Sequence, residues 1–183
     1  QSTTQGRNAL SGALVIRSAD PEYEWGAAAR VLYGSEENFQ ASAMITGPII
    51  ADQLAFRIAA DYREVDFGVI NQVTGISTRF NEALTLRGKL LFEPEEVGGW
   101  RVLLAGSYAF DSPTYDDIAG PGLGFEYSER RGDLNAGLPF FQENREAENI
   151  NTSLRITKAV TDNIEFTSLT TAAITEVFKP SIN

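Results

Sequence analysis

Apolar and polar residues alternate with a period of two over most of the chain that follows Pro21. This period is that of a β-strand, in which successive side chains point to opposite faces of a sheet. The last run is less regular than the others but rich in threonine, a residue that favours strands. The sequence therefore predicts an all-β protein. Its predicted strands are residues 25–33, 39–46, 54–63, 84–92, 100–110, 149–156 and 163–174.

The connections between the predicted strands alternate between short and long after a tight first turn at residues 35–38. Each is a turn or a loop without a crossover helix, so consecutive strands should pair antiparallel in an up-and-down meander. Outer-membrane barrels likewise place short turns on one side of the membrane and longer loops on the other. The short connections are residues 47–53, 94–99 and 160–163, with a break at Gly47-Pro48, and the long ones are residues 65–81 and 111–147.

Strand length and aromatic placement favour a membrane wall over a soluble sheet. The runs are close to the ~9–11 residues with which a tilted strand crosses a bilayer, whereas most soluble strands have five or six residues. Aromatic rings gather at both ends of the apolar face, as they do at membrane interfaces. One end has Trp25, Phe56, Phe92, Trp100 and Phe166, and the other has Tyr33, Phe39, Tyr62, Phe80, Tyr108 and Phe110. The same rings in the core of a soluble sandwich are the alternative.

The stretch from Gln1 to Pro21, QSTTQGRNALSGALVIRSADP, carries a resemblance to a known family. A polar, glycine-punctuated run leads through Gly12 into a short β-branched strand at Ala13–Ile16 and stops at Pro21. It resembles the end of the plug domain of TonB-dependent outer-membrane receptors, and departs from that family's pattern at Thr4-Gln5. The resemblance implies that residues 1–21 end a plug and that residues 22–183 are the first strands of an incomplete transmembrane β-barrel.

By the same resemblance, the function would be active uptake of a scarce ligand across the outer membrane of a Gram-negative bacterium. The ligand would be a metal–siderophore complex, a cofactor or an oligosaccharide, and TonB would deliver the energy through a segment absent here. The chain begins at Gln1 rather than at a methionine, and we expect it to be a piece of a longer protein.

Composition narrows the remaining classes of function. The 183 residues include no cysteine and no histidine, so a catalytic site would have to depend on carboxylates. The net charge of -10 argues against nucleic-acid binding. Glu95-Glu96 and Asp116-Asp117 lack the spacing of a glycosidase pair or a calcium loop, and Gly120–Gly124 lacks the context of a phosphate loop. We therefore expect no enzyme and no cofactor. The alternative is a soluble, secreted β-sandwich that binds glycans. A third class, a carboxylate-dependent glycosidase, is not supported by any group of residues in the sequence.

Charged residues occupy the face opposite the apolar one. In a dry core they would be costly, so this face should be wet or packed against a polar partner. In a plugged barrel of about 22 strands it would face the lumen and the plug, and in an ordinary antiparallel sheet it would face water. The residues are Arg30, Arg57, Asp61, Arg63, Arg87, Lys89, Arg101 and Arg155.

The loop from Asp111 to Ala147 is the predicted ligand-contact region. It has ~35 residues, where hairpin loops usually have two to five, and loops of that length are commonly functional. Its aromatic and arginine side chains suit stacking on rings and binding of carboxylates or phosphates. The residues chosen are Tyr127, Arg130 and Arg131. The alternative is a surface loop that only shields the mouth of the barrel.

The two end strands of such a meander would expose unpaired backbone groups, which is a liability in water. We expect these edges to pair with a second copy of the chain, or the sheet to curl, with Ala13–Ile16, into a smaller closed one. A monodisperse monomer with both edges open in solution would contradict this expectation.

Overall fold

The computed structural model describes residues 17–35, 38–66, 80–94, 98–113, 145–161 and 163–178. Their strands form one sheet in the order β1-β2-β3-β4-β5-β6-β7, and every neighbouring pair is antiparallel. This confirms the predicted all-β, up-and-down meander. The strands are β1 (Gly26–Tyr33), β2 (Phe39–Ile50), β3 (Leu54–Asp66), β4 (Phe80–Phe92), β5 (Trp100–Pro113), β6 (Glu146–Thr161) and β7 (Ile164–Phe178).

The pairing register aligns the alternation of all seven strands. Residues that lie directly opposite each other share a face of the sheet, and Ile45 lies opposite Ile58 while Leu90 lies opposite Leu104. Arg57 lies opposite Lys89 on the other face. The sheet therefore has a continuous apolar face and a continuous polar face. The apolar face includes Val31, Ile45, Ile58, Leu86, Leu90, Leu104, Ile150, Leu154 and Ile174, and the polar face includes the eight charged residues predicted above.

The second strand continues past the predicted break at Gly47-Pro48 and ends at Ile50. Proline cannot donate to a ladder, so it is tolerated in a strand where one side has no partner. Pro48 meets this condition, because the pairing with β1 ends where Thr46 lies opposite Gly26. On its other side Pro48 lies opposite Ala55, and the register shifts between Pro48 and Ile50. The prediction of a break was wrong because the proline is at an edge.

The sheet is open, with β1 and β7 as its edges, and these two strands do not pair with each other in the described residues. Closure into a smaller sheet, one of the two outcomes expected for the edges, is therefore not observed. Residues 13–16, which were expected to help close it, lie outside the described part of the chain. Pairing of the edges with a second copy stays a prediction.

The apolar face is uncovered. Among the described residues, only Ala55, Val65, Leu91 and Ala147 are buried hydrophobic side chains. Large apolar side chains in the middle of the strands are instead open, with Ile58 55% exposed and Leu104 46% exposed. In the described part of the chain, no helix is long and apolar enough to cross a bilayer. The sheet thus has no second layer in the described residues to bury its apolar face.

Aromatic rings border the apolar face at both ends of the strands, as predicted. At one end the Trp25 and Phe56 rings lie 5.7 Å apart at 74°, and at the other end the Phe39 and Tyr62 rings lie 6.3 Å apart at 54°. Lys158 Nζ lies 5.0 Å from the centroid of the Trp100 ring. Lys158 itself lies opposite Phe166 on β7. The described residues do not include the side chain of Phe80.

Gly47 allows the Trp25 ring to lie against the backbone of β2. A Cβ atom at this position would come within 2.5 Å of Trp25 Cε3. The Gly47→Ala substitution should displace the indole and weaken its edge-to-face contact with Phe56, lowering the free energy of unfolding by about 1 kcal/mol. The measurement is tryptophan emission during urea unfolding in detergent micelles, in a Trp100→Phe background that leaves Trp25 as the only tryptophan.

Gly88→Ala is the matched control, because a Cβ atom there meets nothing within 4 Å. That variant should unfold at the same urea concentration as the parent or slightly higher. Equal unfolding midpoints and equal emission spectra for the two glycine variants would show that the Trp25 contact does not depend on Gly47.

Candidate functional site

The segment that precedes β1 lies against the polar face of the sheet. We call residues 18–23 the strap. Their polar groups contact side chains of β2, β3, β4 and β5 or of the residue that follows β4. The strap therefore supplies a polar partner for part of the charged face, at the same end of the strands as Trp25 and Trp100.

Asp20 is the centre of the strap. Its Oδ1 lies 2.8 Å from Lys89 Nζ and its Oδ2 lies 3.1 Å from Arg101 Nη2. Lys89 Nζ also donates a hydrogen bond to the Ser18 carbonyl oxygen, at 2.7 Å. Partial burial acts to raise the pKa of Asp20, but the hydrogen bonds and charges of Lys89 and Arg101 outweigh it and hold the pKa below its ordinary value of 3.8. Asp20 is thus held as a carboxylate between two strands.

Glu93 connects the same cluster to a tyrosine of the strap. Arg101 Nη1 lies 2.6 Å from Glu93 Oε1, and the Tyr23 hydroxyl donates to Glu93 Oε2 at 2.8 Å. Burial, together with the hydrogen bond to Glu93 and its negative charge, raises the pKa of Tyr23 to about 12. The phenol therefore keeps its proton, and with it the hydrogen bond, at neutral pH.

A third contact joins the strap to β2 and β3. The Glu22 backbone N–H donates to Thr46 Oγ1 at 3.1 Å, and that hydroxyl donates in turn to the Phe56 carbonyl oxygen at 2.8 Å. Thr46 is fully buried. The Glu22 carboxylate lies 3.6 Å from Arg57 but is 63% exposed, so water weakens this ion pair. The buried hydroxyl positions the strap backbone more firmly than the ion pair does.

Beside the strap, the polar face contains a hollow of about 380 Å³. Both small side chains and long cationic side chains line it. Asp61 is the only carboxylate among its lining residues; it accepts hydrogen bonds from Ser42 Oγ at 2.7 Å and Gln40 Nε2 at 3.0 Å. The lining residues are Ser18, Ala19, Ala28, Ala29, Arg30, Ser42, Ala43, Met44, Arg57, Ala59, Ala60, Asp61, Thr85, Arg87 and Lys89.

The structure brings together most of the charged residues that were predicted to share a face. Arg57, Lys89 and Arg101 contact the strap. Arg30 and Arg87 line the hollow with Asp61, whereas Arg63 and Arg155 lie elsewhere on the polar face. The strap contacts themselves were not predicted; the available signal was a pair of carboxylates, Asp20 and Glu22, on either side of Pro21.

The predicted ligand contacts Tyr127, Arg130 and Arg131 lie outside the described residues, as do Glu95-Glu96, Asp116-Asp117 and Gly120–Gly124. They stay predictions. In the described ranges, no three acidic side chains come together in a group that could hold a metal ion. The hollow and the strap are therefore the candidate site for which the structure gives a geometry.

No protein-family model and no solved structure matches the chain.

The raised pKa of Tyr23 predicts how the strap responds to alkali. A group whose pKa rises on folding, here from 10.0 to about 12, contributes stability that is complete below pH 10 and is lost as the pH rises through 12. We expect Tyr23 to ionise near pH 12, later than exposed tyrosines, in a spectrophotometric titration of tyrosinate in detergent micelles.

The Tyr23→Phe variant identifies the signal. Its titration should lack one late-ionising group compared with the parent, and Glu93→Gln should move that group to a lower pH, because it removes the negative charge beside the phenol. An unchanged number of late-ionising groups in Tyr23→Phe would contradict the assignment.

Proposed function

We propose that this chain forms part of the wall of a transmembrane β-barrel in a TonB-dependent outer-membrane receptor. The observation that carries the proposal is the two-sided sheet: an uncovered apolar face across seven antiparallel strands, opposite a polar face to which the preceding segment binds. The receptor would take up a scarce ligand, such as a metal–siderophore complex, a cofactor or an oligosaccharide.

The extent of the apolar face supports a lipid environment. Soluble monomers rarely expose a contiguous apolar patch larger than a few hundred Å². Here exposed large hydrophobic side chains of this face come from all seven strands, including Val31 on β1, Ile45 on β2, Ile150 on β6 and Ile174 on β7. Acyl chains would cover such a face along its whole width.

The height of the apolar band also suits a bilayer. At ~3.4 Å per residue, the stretch of β5 from Trp100 to Phe110 covers about 34 Å along the strand. A tilt of about 40° would reduce this to ~26 Å across the membrane, close to the ~25 Å band of outer-membrane barrels. Beyond the rings, carboxylates end the apolar face near the long connections: Glu64 lies opposite Glu82, and Glu148 lies opposite Glu176.

The strap supports the assignment of the polar face to the lumen. The segment whose sequence resembles the end of a plug runs up to Pro21, and Asp20 binds Lys89 and Arg101 of the wall. A chain that leaves a plug and enters the barrel wall would be expected to make such contacts on the lumen side. The energy-coupling partner would be TonB.

A soluble, secreted β-sandwich that binds glycans is the second candidate. It would need a second sheet packed on the apolar face at a distance of ~10 Å. The described strands all belong to one sheet, which disfavours this candidate. The two functions differ in a simple property, because a barrel wall requires detergent or lipid and a lectin-like module does not.

Neighbouring residues on β6 give a direct test of the lipid-facing side. Leu154 lies on the apolar face opposite Leu104, and Ser153 lies on the polar face opposite Ala105. We expect Leu154→Lys to make the free energy of folding into phospholipid vesicles less favourable by ~2–4 kcal/mol, because it places an ammonium group in the hydrocarbon. Ser153→Lys, the matched control, should cost less than about 1 kcal/mol, since its charge would face water.

The measurement is the denaturant dependence of folding of the protein into the vesicles. Equal losses for the two variants would mean that both faces meet the same environment, and the membrane-wall proposal would be wrong. Full solubility of the parent protein without detergent would favour the sandwich instead.

The loop from Asp111 to Ala147 keeps its predicted role in ligand contact within this proposal. Deletion of residues 120–137 from the full-length receptor should weaken ligand binding while the barrel still inserts, because it removes Tyr127, Arg130 and Arg131. Binding of radiolabelled ligand to whole cells would measure the affinity. An unchanged affinity would place the ligand site on other loops or on the plug.

A further inference from the structure

The hollow on the polar face has an excess of positive charge. Four of its lining side chains are cationic, namely Arg30, Arg57, Arg87 and Lys89, whereas Asp61 is its only carboxylate. Asp61 is already held by two neutral donors, Ser42 and Gln40. The charges of the hollow are therefore not balanced by the residues that line it.

Two of the four cations have no direct partner among the residues that the structure describes. Arg30 and Arg87 are exposed and make no hydrogen bond or ion pair with another described residue, and they act on Asp61 only through longer-range attraction. The preceding residues 1–16 contain no aspartate or glutamate that could neutralise them. Within the described residues, both guanidinium groups are thus without a direct counter-ion.

The hollow exists because small side chains lie between the long ones. Ala59 lies opposite both Arg87 and Met44, and Ser42 lies opposite both Arg30 and Asp61. The small residues Ala28 and Ala59 leave space that the arginine side chains border. Its volume of about 380 Å³ is within the range of small-molecule pockets, roughly 300–1,000 Å³.

The other two cations show which chemistry this face binds. Lys89 is paired with the carboxylate of Asp20 at 2.8 Å, and Arg57 is paired with the carboxylate of Glu22 at 3.6 Å. Guanidinium groups bind carboxylates and phosphates through two parallel hydrogen bonds. The strap thus occupies one end of a surface that recognises oxyanions, and Arg30 and Arg87 continue that surface beyond it.

We propose that the hollow binds a small oxyanionic ligand through a carboxylate or phosphate group, with Arg87 and Arg30 as its principal contacts. None of the described residues that line the hollow belongs to the loop predicted to contact the transported ligand, and the proposal does not require the sheet to lie in a membrane. Two residues of the strap, Ser18 and Ala19, are among those that line the hollow.

The test uses citrate and inorganic phosphate as separate probes, titrated into the protein in an uncharged detergent and followed by calorimetry. At least one probe should bind saturably, with an affinity that falls as sodium chloride is added. Arg87→Gln and Arg30→Gln should each weaken that binding about tenfold, because each removes a charge-assisted contact. Arg87→Lys, which keeps the charge, should restore part of the affinity.

Arg155→Gln is the matched control, since Arg155 lies on the same face but outside the hollow. It should bind the probe like the parent. An equal loss in Arg155→Gln would mean that a basic face attracts anions without a site, and the absence of saturable binding for both probes would also overturn the proposal. Near-ultraviolet circular dichroism would confirm that each variant is folded.

The two proposals fail independently. Binding in micelles does not report which face meets lipid, and folding of the β6 variants into vesicles does not report on Arg87. Citrate binding without phosphate binding would assign the ligand to the carboxylates, and the reverse result would assign it to the phosphates.

Discussion

The structure depends on one constraint, the shared register of seven strands whose side chains alternate between two faces. A slip of one residue would move Arg57 and Lys89 onto the apolar face and Ile58 and Leu90 onto the polar one. Such a slip would bring charged groups and apolar groups into the wrong environments at once. The short turns resist it: three residues, 51–53, join β2 to β3, and Asp52 adopts a positive φ of 55° there. Register and turn geometry therefore specify the same pairing.

Much of the fold follows from the sequence because the alternation repeats over many residues. The seven strands, their order and the faces of residues such as Ile58 and Arg87 were all predicted from a period of two. The end of β2 was not predicted, because a proline breaks a central strand but not an edge. Only the pairing shows that β1 begins at Gly26 and does not reach the position opposite Pro48. The open state of the sheet was not predicted either, since alternation says nothing of whether the first and last strands meet.

The candidate site was predicted only in part. Charged residues at alternating positions indicated a polar face, and that face needs a polar environment whichever molecule supplies it. The ion pairs of Asp20 could not be read from the sequence, because its partners Lys89 and Arg101 lie 69 and 81 residues away. The hollow is a property of the register as well, since Ala59 and Arg87 become neighbours only when β3 and β4 pair. Tyr127, Arg130 and Arg131 stay predictions outside the described residues.

The strap has a consequence for the order in which the protein folds. Each strand pairs with the next one in sequence, so the meander grows by local hairpins whose closure costs little entropy. The strap differs, because Asp20 has no complete binding site until β4 and β5 are both in place. Docking of the strap is therefore a late event, and until it occurs Lys89 and Arg101 lack the Asp20 carboxylate, while Arg101 keeps its ion pair with Glu93. The strap completes its contacts only after the middle of the sheet has formed.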